Sequence, residues 1–441
     1  MTKIDSYWLR SGIYTLANKL SFLFLGFGSF YMLVRTMPKS DFGIWALFVS
    51  ITTLIETGRN GLIQNALVKT MVDASKDNTK VISASFALNA IMTIIFVGIF
   101  LSVYLFLPLH KEYEIMKCMM LFYCITTIAL FPLSQCNFIQ QGKLDFKGVF
   151  FTGLVRQGGF FCVILYFYLN HETLDLVQLV NWQSGSVALA SVISLLFCRK
   201  YISFSFPIDW AMVKELFHYG KYTMGTNLSS MLFKSIDQLM LGWFMTPIAV
   251  ATYNSAIRVN NLVEYPASAM VEILFPKSAK KASEEGIKGV ENLYHISLAY
   301  MLAMFIPAVI LIELLAYPLI LLAAGESYLD AVQILRIVAL AGLVIPFTRQ
   351  FGMIMDSTGH PHLNFRMLLV NVAINLIFNL VFINWLGVLG AAIGTTLAYL
   401  LNAILSQILL QRVIHVDYKR LPILLVNVYQ QVFLTIKKSV L

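Results

Sequence analysis

The sequence predicts an all-α polytopic membrane protein with twelve transmembrane helices, arranged as two six-helix bundles related by a pseudo-twofold axis along the membrane normal. Three observations lead to this prediction. The 441 residues are 58% hydrophobic and only 12% charged, whereas soluble proteins carry roughly 25% charged residues. Apolar runs of about 20 residues, the length needed to cross a bilayer, recur along the chain. A stretch near the start of the chain is also echoed in its second half.

Twelve segments of helical length can be placed between turn-forming residues such as Pro38, Pro108, Pro247 and Gly387. They cover residues 12–34, 41–58, 81–107, 115–139, 148–169, 177–198, 219–244, 248–274, 293–317, 328–356, 364–385 and 388–411. The tail that follows is too short and polar for a span, so we expect a cytoplasmic segment with an amphipathic helix on the membrane surface. The predicted domains are residues 1–203, 204–411 and the tail, 412–441.

The distribution of Lys and Arg predicts the orientation in the membrane. The N-terminus, the even-numbered connections and the tail carry 22 of these residues, whereas the odd-numbered connections carry three, namely Arg35, Lys39 and Lys111. Because cytoplasmic connections are enriched in Lys and Arg, both termini are predicted to be cytoplasmic. The net charge of +9 follows from this topology, so we expect no nucleic-acid partner.

The internal echo joins Tyr14–Glu56 to Tyr222–Glu264, 208 positions later and without a gap. Nine of the 43 aligned positions are identical, and a glutamate ends both stretches. A second echo joins Gly142–Lys147 to Gly359–Arg366. Halves with an even number of spans repeat in parallel, and transporters of this kind bind their substrate between the halves. We therefore expect the first two helices of each half to line the substrate cleft.

Basic residues at membrane depth are costly and are usually functional. Lys234 lies about 15 residues from the cytoplasmic end of its span and Arg258 about 10 residues from the outer end of the next, so at about 1.5 Å per residue both are near the membrane midplane. Polar residues at helical spacing form a polar stripe along each of these two spans. The predicted substrate-binding residues are Lys19, Arg156, Lys234, Arg258, Arg349, Asn227, Ser230, Asn254, Asn261 and Tyr265.

Three acids in these spans, Glu56, Asp237 and Glu264, are predicted either to couple transport to an ion or to act as counter-ions of the basic residues. An ion pair between Lys234 and Asp237, three residues apart on one helix, is an alternative. Glu56 and Glu264 occupy matching positions of the repeat, which leaves coupling to a proton or Na⁺ gradient open. We expect no cofactor.

No motif in the sequence predicts catalysis or nucleotide binding. The phosphate-binding pattern GxxxxGK[S/T] is absent, as are HExxH and GxSxG. The chain is therefore predicted to be neither an enzyme nor an ATP-driven pump. His360 and His362 have no companion cysteine or carboxylate pattern, so no metal site is expected there.

Three stretches of the sequence resemble the polysaccharide-biosynthesis flippases, the O-antigen or oligosaccharide repeat-unit transporters of the MATE/MOP exporter superfamily. They are SDFGIWALFVSITTLIETGRNGLIQNALVK at 40–69, SIDQLMLGWFMTPIAVATYNSAIRV at 235–259 and LLAAGESYLDAVQILRIVAL at 321–340. The resemblance implies a V-shaped cavity with alternating access and makes Lys19, Lys234 and Arg258 candidates for its cationic lining. Unlike the related lipid II flippases, the second predicted span holds Glu56 and no buried arginine.

The resemblance also implies a substrate and a location. The substrate would be an undecaprenyl-pyrophosphate-linked oligosaccharide, flipped across the bacterial inner membrane for O-antigen, lipopolysaccharide, capsule or exopolysaccharide biosynthesis. Other expected partners are membrane lipids and polysaccharide polymerase or glycosyltransferase machinery. We expect a monomer.

Two alternative functions remain open. A MATE-type cation-coupled exporter of drugs or metabolites binds organic cations, so its cavity should favour carboxylates, whereas this chain places seven basic residues and six acids at membrane depth. A non-transport membrane assembly protein is the second alternative, but it would give the polar stripes no purpose.

Overall fold

The protein is built of helices. The computed structural model describes the backbone of residues 3–73, 76–108 and 110–440, and the side chains of these residues except 3–13, 15–16, 265–273, 275–277, 279–283, 432–433 and 435–440. Every regular element within these ranges is an α-helix or a short 3-10 helix. The predicted all-α class is confirmed.

The chain divides into two compact units, Met1–Met231 and Leu232–Leu441. The first unit contains α1 (Lys3–Thr36), α2 (Lys39–Val72), α3 (Asn78–Phe106), α4 (Glu114–Gly142), α5 (Phe146–Leu169), α6 (Leu176–Cys198) and the first part of α7 (Trp210–Phe244). The second contains the end of α7, α8 (Pro247–Glu284), α9 (Gly286–Ala324), α10 (Ala331–Leu340), α11 (Ile345–Ser357), α12 (Pro361–Leu386), α13 (Val388–Leu410) and α14 (Arg420–Val440). The predicted domain limits at residues 203 and 411 stay predictions.

Within the described residues, eight helical segments are long and apolar enough to cross a membrane, and the bent pair of α10 and α11 makes a ninth candidate. The chain is therefore a multi-pass membrane protein. Eleven of the twelve predicted spans each lie on one helix, to within a residue. Helices α2, α7 and α8 fall outside the apolar set because they combine membrane-crossing length with several charged residues.

The tenth predicted span is broken rather than continuous. Helix α10 is followed by a 3-10 turn at Ala341–Leu343, and α11 then runs at 44° to the preceding segment. Pro346 lies in the first turn of α11 and has no N–H to continue the helical hydrogen bonds across the break. The break sets the direction of α11, which carries Arg349.

A tight turn brings α12 and α13 together as neighbours. Gly387 joins them at a φ of 60°, a conformation that glycine adopts without steric cost. A Cβ at Gly390 would lie 1.9 Å from the carbonyl oxygen of Phe382, so the two helices approach through their backbones. This approach places Asn379 Nδ2 3.3 Å from Thr395 Oγ1 in the interior of the second unit.

The tail forms α14, which packs against α9. The hydroxyl of Tyr429 donates to the carbonyl oxygen of Ala303 at 3.1 Å. Val428 is buried on the packed side, while Ile423 and Val426 are exposed. The helix therefore keeps exposed apolar side chains beyond those that α9 covers.

The connection between α4 and α5 is fastened to the end of α6. Asp145 Oδ2 accepts hydrogen bonds from Lys200 Nζ at 3.0 Å and from the hydroxyl of Tyr201 at 2.9 Å. Partial burial raises the pKa of Asp145, but the bonds from Lys200 and Tyr201 outweigh it and leave the pKa below its ordinary value. The carboxylate therefore stabilises this connection in its charged form.

Replacing Asp145 by asparagine should lower the free energy of unfolding by at most about 1 kcal/mol, the usual range for an exposed ion pair. Because the folded-state pKa is depressed, the difference from the wild type should be full above about pH 4 and should disappear as the pH falls through the folded-state value. Thermal unfolding in detergent, followed by tryptophan fluorescence between pH 7 and pH 3, measures this. A difference that persists at low pH would contradict the assignment.

Candidate substrate-binding and ion-coupling sites

Glu56, on α2, is the centre of a charged cluster in the first unit. Its carboxylate accepts hydrogen bonds from the hydroxyl of Tyr123 on α4 and from Arg156 on α5, whose Nη2 lies 3.1 Å from Oε2 and 3.4 Å from Oε1. The Glu56 side chain is 17% exposed and that of Arg156 31%. Arg156, a predicted substrate-binding residue, is thus ion-paired with Glu56. Its predicted binding role, and the coupling or counter-ion role of Glu56, stay predictions.

A buried arginine accompanies this pair. Arg59 lies three residues beyond Glu56 on α2, is 1% exposed, and interacts electrostatically with Glu56. Its Nε and Nη1 have no hydrogen-bond partner in the part of the chain that the structure describes. The prediction that the second span holds no buried arginine is wrong, because the predicted span ends at residue 58 whereas α2 continues to Val72. With Arg156, the cluster carries two positive charges and one negative charge.

The second unit contains an ion pair of the same kind. Arg349 Nη2, on α11, donates to Glu264 Oε2, on α8, at 2.8 Å. Glu264 is the repeat counterpart of Glu56, but the basic partners come from helices that do not correspond. Arg156 belongs to the fifth predicted span and Arg349 to the tenth. The acid is therefore the repeated feature, and each unit supplies its counter-ion from a different place.

A cavity of about 190 Å³ lies within the second unit. It has room for several water molecules or a phosphate-sized group. Its wall combines charged and amide side chains from α7 and α8 with residues of α10, α11, α13 and the turn between α10 and α11. The lining residues are Phe233, Lys234, Asp237, Ile257, Asn260, Asn261, Glu264, Val338, Ala341, Ile345, Thr395, Thr396 and Tyr399.

Lys234 and Asp237 both line this cavity, one turn apart on α7. The alternative prediction was an ion pair between Lys234 and Asp237, and the structure does not form it. Among the described side chains, the ion pairs that join two helices are those of Glu56, Glu264 and Glu313. Lys234 is exposed. Its ammonium group therefore faces the cavity without a carboxylate partner among the side chains that the structure describes.

Asp237 is 3% exposed and is held by neutral donors. Oδ2 accepts from the hydroxyl of Tyr253 at 2.5 Å. Oδ1 accepts from Thr395 Oγ1 at 2.7 Å and from Asn379 Nδ2 at 2.8 Å, and Asn375 Nδ2 lies 3.5 Å away. A buried carboxylate without a cationic partner is costly to keep charged. This environment favours the arrival of a cation, either a proton or a metal ion.

The oxygen atoms around Asp237 suit a small hard cation. Asn375 Oδ1 and Thr395 Oγ1 lie 3.1 Å apart beside the carboxylate. Asn379 Oδ1 is buried and has no hydrogen-bond partner among the described residues. Carboxylate, amide and hydroxyl oxygens are the ligands that hard cations prefer. Together the four side chains offer one negative charge and three neutral oxygen donors.

The polar stripe predicted on α7 crosses from one unit to the other. Asn227 and Ser230 are half-buried and belong to the first unit, whereas Lys234 and Asp237 belong to the second. Only the second pair lines the cavity. The stripe is therefore not a single site within either unit.

The other predicted residues lie at different depths. Lys19 is exposed on α1, and Arg258 is half-buried on α8. Asn254 is buried, and its Oδ1 has no hydrogen-bond partner among the described residues. Asn261 lines the cavity. The side chain of Tyr265 lies outside the described residues.

Some residues of both sites escaped the sequence analysis. The signal for the first unit was a basic residue one turn beyond an intramembrane glutamate. The signal for the second was a row of asparagines at every fourth position of the apolar helix α12, which places their amides on one face. The missed residues are Arg59, Tyr123, Tyr253, Asn375, Asn379 and Thr395.

Comparison with known proteins places the chain among glycan-related membrane proteins. Residues 8–281 match the family described as "Polysaccharide biosynthesis protein". The chain is 22% identical over 263 residues to the "Probable low-salt glycan biosynthesis flippase Agl15" of Haloferax volcanii, which is 56% of each protein. The chain spans about half the length of the curated relatives it matches, from 37% to 56%.

Solved structures share the fold over nearly the whole chain. An inward-facing multidrug resistance MATE family transporter of the MOP superfamily superposes with a TM-score of 0.76 at 15% identity, covering 92% of this chain and 95% of that one. The lipid II flippase MurJ, in an inward closed conformation, gives 0.75 at 13% identity over 96% and 92% of the two chains. At these identities the similarity establishes the fold alone, and it agrees with the predicted MATE/MOP-like architecture.

Proposed function

The chain belongs to the polysaccharide biosynthesis protein family, and from this premise we propose that it flips undecaprenyl-pyrophosphate-linked oligosaccharide repeat units across a bacterial cell membrane by alternating access. The observation that carries the proposal is Lys234, whose ammonium group has no carboxylate partner among the described side chains and lies at a phosphate-sized cavity. A relative named as a glycan biosynthesis flippase supports the substrate class. The protein is then a transporter and not an enzyme, and its products feed O-antigen, capsule or exopolysaccharide synthesis.

Twelve membrane spans fit this function. Nine come from the eight apolar segments and the bent pair of α10 and α11. The other three are α2, α7 and α8, several of whose charged side chains bond to neighbouring helices inside the protein rather than face lipid. Glu56 and Asp237 are examples, because each accepts several hydrogen bonds from neighbouring helices. Polar residues in a spanning helix normally face the interior of the bundle or a water-filled cavity.

We propose that the protein lies in the inner membrane, with both termini in the cytoplasm. The excess of Lys and Arg in the even-numbered connections supports it. In this orientation the connection held by Asp145 and Lys200 is cytoplasmic, and polysaccharide polymerase or glycosyltransferase machinery can meet the protein on either face. We propose a monomer as the transporting form.

Charge provides the recognition of the substrate head group. A pyrophosphate needs fixed positive charge and charge-assisted hydrogen bonds, which lysine and arginine supply. Lys234 offers its ammonium group in the second unit, and the Glu56 cluster carries a net charge of +1 in the first. Asn261 adds an amide for sugar hydroxyls at the cavity wall.

Coupling to an ion gradient is proposed at Asp237 rather than at Glu56 or Glu264. Each of the two glutamates already has an arginine within 3.1 Å, so neither needs a further cation. Asp237 is bonded by hydroxyl and amide donors instead, and the buried Oδ1 of Asn379 can serve as a further ligand for a metal ion. A proton or Na⁺ would neutralise the only carboxylate of this group.

Deletion of the gene followed by analysis of membrane lipids tests the proposed function. The expected result is accumulation of an undecaprenyl-pyrophosphate-linked oligosaccharide in the cytoplasmic leaflet, together with loss of surface polysaccharide. Restoration by the wild-type gene is the control. Normal surface polysaccharide, or accumulation of the intermediate in the outer leaflet, would refute flipping as the function. Accumulation of a small organic cation inside the deletion strain would favour the drug-exporter alternative.

A further inference from the structure

We propose that Arg59 can replace Arg156 as the ion-pair partner of Glu56, so that Arg156 can leave Glu56 and bind the pyrophosphate of the substrate. This inference rests on the proposed function and assigns different tasks to two arginines of one cluster. Arg156 contacts the substrate. Arg59 stays inside the protein and acts through Glu56, so it is a positioning residue.

The exposures of the two arginines set their tasks. Arg156 keeps 31% of its side chain exposed while it is bound to Glu56, so it can turn toward a ligand. Arg59 is 1% exposed and cannot reach a ligand without rearrangement of α2. An arginine this deeply buried is a poor first contact for an arriving head group.

The hydrogen bonds of the cluster are asymmetric. Glu56 takes its bonds from Arg156 and Tyr123, while Nε and Nη1 of Arg59 have no partner among the described residues. Buried donors are nearly always satisfied, so the two unsatisfied donors of Arg59 fit a second state in which Glu56 bonds them. Glu56 is the carboxylate with which Arg59 interacts electrostatically, and it lies one turn away on the same helix.

The exchange removes a barrier to substrate binding. If Arg156 left Glu56 in the absence of another cation, a partly buried carboxylate would be stranded, which is strongly destabilising. Arg59 neutralises Glu56 at that moment and satisfies its own donors. The cluster thus holds one more positive charge than it needs internally, and that surplus becomes available to the phosphate groups. Tyr123 keeps the carboxylate in place during the exchange.

Double-mutant analysis separates this role from direct contact with substrate. The probe is undecaprenyl pyrophosphate, and its affinity is measured for the full chain in nanodiscs. Arg59→Gln should weaken binding about tenfold, because Arg156 is then retained by Glu56. In a Glu56→Gln background Arg156 is already released, so adding Arg59→Gln should change the affinity by less than about twofold. Arg156→Gln should weaken binding in both backgrounds.

Controls keep the outcomes distinct. Arg59→Lys retains a charge beside Glu56 and should bind nearly as the wild type does, which separates the exchange from misfolding. Arg336→Gln removes an arginine 4.0 Å from Glu313 in the second unit and should leave binding unchanged. Equal weakening by Arg59→Gln in both backgrounds would show direct contact and overturn the exchange. Absence of binding by the wild type would overturn the proposed function and the exchange with it.

Discussion

Replacing Lys234 by alanine should weaken binding of an undecaprenyl-pyrophosphate-linked oligosaccharide by about 10- to 100-fold and stop the appearance of surface polysaccharide. Lys234 is at the cavity of the second unit and has no ion-pair partner among the described carboxylates, so its whole charge is available to a ligand. A hydrogen bond to a charged group is worth about 1.5–3 kcal/mol, and about 1.4 kcal/mol corresponds to a factor of ten. Head-group binding in nanodiscs and polysaccharide on whole cells measure the two effects.

A matched lysine gives the control for this experiment. Lys117 is on α4, in the first unit, three residues after the helix begins. The proposed orientation places this end of α4 near the outer membrane interface, where a lysine reaches the surface by its long side chain. Lys117→Ala should leave both measurements unchanged, and Lys234→Arg should retain most of the binding. The cationic-cavity proposal fails if Lys234→Ala, at normal abundance in the membrane, still binds substrate and supports normal polymer.

The repeat explains why the amino-acid pattern reveals some site residues and not others. The echo of Tyr14–Glu56 in Tyr222–Glu264 is enough by itself to locate both glutamates of the ion pairs. Their partners, Arg156 and Arg349, come from helices that do not correspond, so no repeat can reveal them. Such a pairing depends on which helices pack together. For Arg349, the break before α11 sets the direction of the helix that carries it.

The position of the span ends was the second feature that the sequence did not predict. A charged residue looks like the end of a hydrophobic segment, so the second predicted span stops before Arg59 and assigns it to a connection. In the structure α2 runs on for more than three turns, and Arg59 is among the largest fully buried side chains. The hydrophobic pattern alone cannot tell a surface charge from a buried one. The four-residue spacing of Asn371, Asn375 and Asn379 carried better information, because it predicts one polar face inside the protein.

Replacing Asp237 by asparagine should abolish the response of transport to an ion gradient. Asp237 is the only acid of its group, and neutral donors surround it, so its removal leaves no charge for a coupling ion to neutralise. Flipping of a fluorescent undecaprenyl-pyrophosphate-linked sugar in proteoliposomes, with an imposed Na⁺ or proton gradient, measures the response. Asp330→Asn is the matched control, because that exposed aspartate also accepts a bond from a threonine hydroxyl, at 3.0 Å from Thr252.

A variant of Asn379 then identifies the ion. Asn379→Leu removes an oxygen ligand that a Na⁺ ion needs but leaves the carboxylate of Asp237 able to take up a proton. Loss of the gradient response in this variant indicates Na⁺, and a retained response to a proton gradient indicates H⁺. Transport by the wild type that ignores both gradients, or a gradient response that survives in Asp237→Asn, would mean that Asp237 only braces α7, α12 and α13 against one another. The same carboxylate would then be a structural hydrogen-bond acceptor, held by Tyr253 and Thr395 for the stability of the second unit.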